Sequence, residues 1–224
     1  MLIPDLVEKW LNKVLPISKD TSSFKIKDVH DFPIDILREM VINALVHRDY
    51  TIEGAKSHLE IDNDKIIVKS PGAPVPSISL EQLNSFKAPS ISRNPTITYV
   101  FNLMGYVEET GFGMKSLKLL NETYGLPLPE YTMEVPFLTL TSPRNMEALK
   151  KVTHHTNLLQ LNDEELKGYQ FIKLKETTTR KEYQKHFGFE SDKKAERHLK
   201  KMVDLKLIAR KGLGRSTYYE IIPT

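Results

Sequence analysis

The chain has 224 residues, enough for one large domain or two small ones, and 40% hydrophobic with 27% charged residues is the composition of a globular protein. It has no cysteine, which excludes disulfides, thiolate zinc sites and thiol catalysis and fits a reducing cytoplasmic compartment; no apolar run approaches the ~20 residues that span a bilayer. The net charge of +3 is uneven: residues 151–224 carry 16 Lys plus Arg and 10 Asp plus Glu, a net +6, leaving −3 for residues 1–150, so two units with different partners are expected.

Residues 4–15 read as a short amphipathic helix ended by Pro16, and residues 24–27 alternate as a short strand. Pro33 stands near the start of a helix, where proline is tolerated. Residues 58–62 and 65–70 read as a hairpin around Asn63-Asp64, broken by Ser70-Pro71-Gly72. A turn of helix is expected over 80–84 and a helix over 95–104 that stops near Gly105. A further helix over 115–124 stops at Gly125, and a closing strand covers 137–141. Residues 142–162 have weak periodicity and read as a linker, helical in part.

The helix after Pro33 carries I-L-R-E-M-V-I-N-A-L-V-H-R-D-Y, residues 36–50. Glu39 and Asn43 are one turn apart and share a face, while Leu37, Met40, Val41, Ala44 and Leu45 fill the rest of the circumference. A buried carboxylate and amide demand partners, supplied either by other side chains or by a ligand. A Glu-x-x-x-Asn helix is the first signature of the histidine-kinase-type (GHKL) ATPases, and the string ending N-A-L-V-H-R-D-Y closely resembles a divergent branch, the RecG-like transcriptional regulators. The resemblance covers roughly residues 32–140. It implies that Asn43 holds the magnesium of a bound ATP and that Glu39 is the catalytic base, roles that suit an oxygen ligand and a carboxylate.

Three later blocks follow the same resemblance. S-P-G-A-P-V-P stands where relatives show N-P-G-G-L-P; Gly72 is kept, but Ser70 replaces the acidic or amide residue that reads the adenine amino group. S-R-N-P matches at Ser92 to Pro95. Arg93 suits a phosphate, while Asn94 and Pro95 read as the cap and first residue of the next helix. G-Y-V-E-E-T-G-F-G-M matches the second glycine box, with Gly111 and Gly113 placed to let backbone amides close on an oxyanion at a helix N-terminus. G-F-G-M-K-S is not a P-loop, His47-Arg48-Asp49 is not a kinase catalytic loop, and His154-His155 has no ligand set around it. With neither P-loop nor helicase motifs, these residues do not support a helicase.

Toward the C-terminus, helices are expected over 163–175, 179–187 (stopped by Gly188) and 193–206, capped by Asn162 or Asp163 and by Ser191 or Asp192. Strand, turn and strand follow. That order resembles a winged helix, whose recognition helix enters the major groove of double-stranded DNA. On the third helix Ala195, Leu199, Met202 and Val203 form one face. Lys193, Arg197, Lys200 and Lys201 form the opposite one, and Lys211 and Arg215 flank the wing turn.

The expected fold class is therefore α+β: a GHKL-type α/β sandwich over residues 1–141 (core about 32–141), a linker over 142–162 and a winged helix over 163–224. The leading expectation is a transcriptional regulator in which ATP and magnesium bias DNA binding. A dimerisation or ligand-sensing scaffold with a degenerate site, and a slow ATP hydrolase, are the alternatives. Homodimerisation is left open. Relatives often carry a Schlafen/AlbA-type domain upstream, so the chain is read either as a fragment or as a short member.

Overall fold

The computed structural model describes residues 3–15, 17–20, 27–107, 113–153 and 156–222, with backbone alone for residues 17–20, 27–29 and 215. The strand expected over 24–27, the glycine box up to Phe112 and the His154-His155 pair lie largely outside the described residues.

The chain opens with helix α1 (Ile3–Val14), then a two-stranded antiparallel ribbon, β1 (Ile17–Asp20) and β2 (Lys27–His30). Helix α2 (Ile34–Val46) starts directly after Pro33, whose fixed φ of −65° suits that boundary. Its Ile36, Leu37, Met40, Val41, Ile42 and Val46 are all buried, so it runs through the core rather than over it. The hairpin β3 (His58–Ile61) and β4 (Lys65–Pro71) turns at Asn63-Asp64, where the Asp62 carboxylate accepts the amides of Asp64 and Lys65.

Three helices follow: α3 (Leu80–Asn84), closed by a Ser79/Gln82 capping box, α4 (Pro95–Leu103) and α5 (Gly113–Glu122). Then come β5 (Glu130–Glu134), which the sequence pattern did not reveal, and β6 (Phe137–Pro143). The four strands form one antiparallel sheet in the order β3-β4-β6-β5. The register puts Leu59, Ile66, Val68, Leu138, Leu140 and Tyr131 on one face. That face meets Leu37 and Met40 of α2 and Leu117 and Leu120 of α5 to make the first core.

Helix α6 (Met146–Val152) and a 3₁₀ turn (Thr156–Gln160) occupy the stretch read as a linker. Leu149, Leu158 and Leu161 of that stretch are buried in a second core, so it is structural in its own right. That core is built mainly by α7 (Asp163–Lys175), α8 (Arg180–Phe187) and α9 (Asp192–Asp204). Capping boxes at Asn162/Glu165 and Thr179/Glu182 open α7 and α8, Ser191 caps α9, and Gly188 at φ +62° ends α8 in the left-handed conformation. A short strand β7 (Thr177–Thr178) pairs with β9 (Tyr218–Ile221), which pairs with β8 (Ile208–Lys211). The molecule is thus α+β, with antiparallel sheets throughout.

Helix α7 belongs to both cores. Leu174 reaches the first, and the buried Gln170 Oε1 accepts the Leu128 amide at 2.9 Å. Lys87 and Glu176 pair across the same junction, and α5 touches α7. Among the described residues no helix is long and apolar enough to cross a membrane.

Candidate functional site

A cavity of about 650 Å³ lies between α2, α5 and the sheet, a volume suited to a small-molecule or cofactor site. Glu39, Asn43, Ser70, Gly72, Arg93 and Gly113 all line it, so residues spread over more than seventy positions converge there. Gly111, expected beside them, lies outside the described residues.

At its floor Asn43 Nδ2 donates to Glu39 Oε1 at 3.0 Å. That bond fixes the amide and leaves Asn43 Oδ1, an oxygen acceptor, for a cation or a donor. Gly113 starts α5 directly over this pair: a Cβ built there would lie 2.6 Å from Glu39 Oε1 and 3.1 Å from Asn43 Nδ2. Only glycine brings the helix N-terminus, with its outward amides and positive end, this close to the carboxylate and amide. Tyr131, from β5, stands nearby. Burial, and then the Glu39 charge, raise its phenol well above the usual range, so it stays protonated.

Ser70 is buried, and its hydroxyl donates to the Ala44 carbonyl at 2.7 Å. With that proton committed, the oxygen can only accept from a ligand. Gly72 has φ +112°, and a Cβ there would lie 2.6 Å from the Asp49 Cβ. The reason is a crossing of strands of chain: Asp49 N donates to Pro71 O at 2.7 Å, and Gly72 N to Pro136 O at 2.7 Å.

The S-R-N-P block behaves differently from its sequence reading. Asn94 occupies the N-cap position of α4, but its side chain makes no cap bond. It donates instead to the carbonyls of Val46 and Arg48, each at 2.8 Å, tying off the end of α2. Pro95 already leaves the first turn of α4 one N–H short, which lowers the demand for a cap there. Arg93 pairs with Asp49 at 3.2 Å and donates to the Ala73 carbonyl. Hydrogen bonds from the Thr51 hydroxyl and amide, with a smaller effect of Arg93, hold the Asp49 carboxyl below its usual range. The H-R-D-Y and S-R-N-P motifs therefore interlock across the cavity mouth.

Two cationic positions were missed in the sequence. Arg38 lines the cavity one residue before Glu39, and Lys115 lines it from the first turn of α5. A basic residue just after a glycine box was the available signal for Lys115. Four cationic side chains (Arg38, Lys87, Arg93, Lys115) and two carboxylates (Asp35, Glu39) line the cavity; Arg93 is paired with Asp49 and Lys87 with Glu176, so Arg38 and Lys115 are the cations placed to meet an anionic ligand. Among the described residues no cluster of three or more His, Asp or Glu could hold a metal alone, so a magnesium ion here would take its other ligands from phosphate and water.

On the C-terminal unit, Lys193, Arg197 and Lys200 are exposed on α9. Lys201, half-exposed, pairs at 2.6 Å with the largely buried Glu165 of α7. Lys211 is exposed on β8 and pairs with Glu220 at 3.5 Å. Arg215 sits in the turn Gly214–Ser216 between β8 and β9, its side chain outside the described residues.

Residues 54–141 match the family described as "Putative ATP-dependent DNA helicase recG C-terminal". The matched segment covers less than half of the chain. It contains Ser70, Gly72, Arg93 and Gly113, while the helix bearing Glu39 and Asn43 precedes it. A solved structure, the DIP2311 protein from Corynebacterium diphtheriae, aligns over 98% of this chain at a TM-score of 0.55 and 19% identity. The chain spans 45% of that protein, so the likeness is one of fold. No curated protein sequence matches.

Proposed function

We propose that the cavity binds an adenine nucleotide with magnesium and that this occupancy biases DNA binding by the C-terminal unit, acting as a winged helix behind a GHKL-type sandwich. The observation that carries the reading is the Glu39–Asn43 pair at the cavity floor with Gly113 and the start of α5 set directly against it. Magnesium would bring charge neutralisation of the phosphates, and Asn43 Oδ1 would hold it. The amides at the start of α5, with Lys115 and Arg38, would orient the phosphates. Ser70, as an acceptor only, would take the donor edge of the base. Glu39 would accept a proton from water in any hydrolysis.

In the C-terminal unit, Lys193, Arg197 and Lys200 would contact DNA phosphates from α9, with Lys211 and Arg215 on the wing. Coupling between the two sites would pass through α7, which touches α5 and accepts the Leu128 amide.

Calorimetric titration with Mg-ATP tests the nucleotide part: saturable binding that Asn43→Ala abolishes is expected. Absence of binding at millimolar ATP overturns it. The second reading is a ligand-sensing scaffold without ATP, favoured by the serine that stands at position 70 where the resemblance has an acidic or amide residue. That reading expects DNA binding indifferent to nucleotide.

A further inference from the structure

Tyr131 of β5 carries a hydroxyl that packing does not call for. In the sheet register it stands beside Leu140 and, beyond that, Val68, an apolar row on which a phenylalanine ring would pack equally well. Yet the side chain is only 8% exposed, and among the described residues its hydroxyl meets just the Met114 thioether, at 4.0 Å, a weak acceptor at the limit of contact. A buried hydroxyl without a good partner costs free energy. The residue is also held firmly. The Asn84 side chain accepts the Tyr131 amide at 2.7 Å and donates to its carbonyl at 2.9 Å, so α3 completes the outer edge of β5.

Tyr131 lines the cavity together with Glu39, Asn43, Gly113 and Met114. Met114 follows Gly113, whose backbone is set against the Glu39–Asn43 pair. The hydroxyl therefore opens on the same corner as the Glu39 carboxylate. Burial, and then the Glu39 charge, keep it protonated, so a donor stands beside an acceptor. A water molecule satisfies both: one lone pair takes the Tyr131 proton, one hydrogen goes to Glu39, and the second lone pair is left to react.

We propose that Tyr131 is a catalytic residue of ATP hydrolysis, its hydroxyl and Glu39 together holding the water that attacks the terminal phosphate. This role rests on the nucleotide reading of the cavity. The water oxygen forms the new bond to phosphorus, its proton passes to Glu39, and the bridging oxygen departs with the electron pair as ADP. Tyr131 keeps its own proton throughout and acts by fixing the direction of the water.

Calorimetry with Mg-ATP, phosphate release and thermal unfolding of the full chain and of Tyr131→Phe test it together. The variant should bind Mg-ATP as the wild type does, with the same KM, and release phosphate at least about tenfold more slowly. Its unfolding midpoint without nucleotide should stay the same or rise, because the hydroxyl it lacks has no good partner in the protein. A purely structural tyrosine would lower that midpoint. Glu39→Gln should also slow release, and adding Tyr131→Phe to it should slow it little further, since both side chains act on one water. Unchanged release in Tyr131→Phe, a raised KM at unchanged kcat, or a variant that does not fold overturns the role. So does a wild type that binds Mg-ATP but releases no more phosphate than Glu39→Gln. A wild type that binds no Mg-ATP overturns the nucleotide reading itself, and this role with it.

Discussion

Gly72 and Asn94 show how single residues in this chain do work that their motifs only hint at. A left-handed glycine pressed against Asp49 leaves no room for a methyl group, so Gly72→Ala should destabilise the protein by about 1–3 kcal/mol, read as a lowered midpoint in urea unfolding. Asn94→Ala should cost about 2 kcal/mol by leaving the Val46 and Arg48 carbonyls without their donor. Asn94→Asp should be no better, because a carboxylate cannot donate to carbonyls. A cap role at α4 would instead make Asp an acceptable replacement. The sequence carried the identity of these residues but not their partners. Asn94 reaches back 46 and 48 positions, and no local pattern encodes that distance. The Glu39–Asn43 pair was legible because helical periodicity alone puts the two on one face. The position of Gly113 above it was legible only through resemblance.

Among the secondary-structure elements, helices with strong apolar periodicity and clear stops were readable, α8 and α9 almost to the residue. Strands β1, β5 and β7 were not, because short strands with mixed residues owe their conformation to the neighbour they pair with. Helix α8 makes the clearest acid-sensitive element. Hydrogen bonds from Lys175 first, then from the Thr179 amide, hold the Glu182 carboxyl down at about 2, below the 4.5 of a free glutamate. A depressed carboxyl adds stability that is complete above the unfolded value and is lost as pH falls through the folded one. The melting-temperature gap between wild type and Glu182→Gln should therefore be full above pH 4.5 and close between about 4.5 and 2. A gap that stays constant over that window would remove Glu182 from the account. Helix α7 has its own tight point: a Cβ on Gly168 would lie 1.7 Å from the buried Tyr183 hydroxyl, so Gly168→Ala should cost about 1–3 kcal/mol by overpacking, seen as an early loss of the C-terminal unit in hydrogen exchange.

For the whole molecule, the charge asymmetry read from the sequence survives as an exposed cationic face on α9, but with a different membership. Changing Lys193, Arg197 and Lys200 to Glu should weaken duplex DNA binding by at least about tenfold at low salt and flatten its salt dependence, measured by fluorescence anisotropy across a salt series. Lys201→Glu should mainly lower stability, because it sets a like charge against buried Glu165.

The shared helix α7 and the buried leucines ahead of it bear on how the chain comes apart. Composition marks residues 142–162 as the place to cut, yet Leu149, Leu158 and Leu161 from that stretch are part of the second core. A C-terminal piece begun at residue 163 would lack three of its own core side chains and the Asn162 cap. Separating the halves would also strip the Leu128 amide of the Gln170 side chain that accepts it at 2.9 Å. The two units are joined less like beads on a string than like boards sharing a tongue, and a swap of C-terminal modules between relatives would have to carry the tongue along.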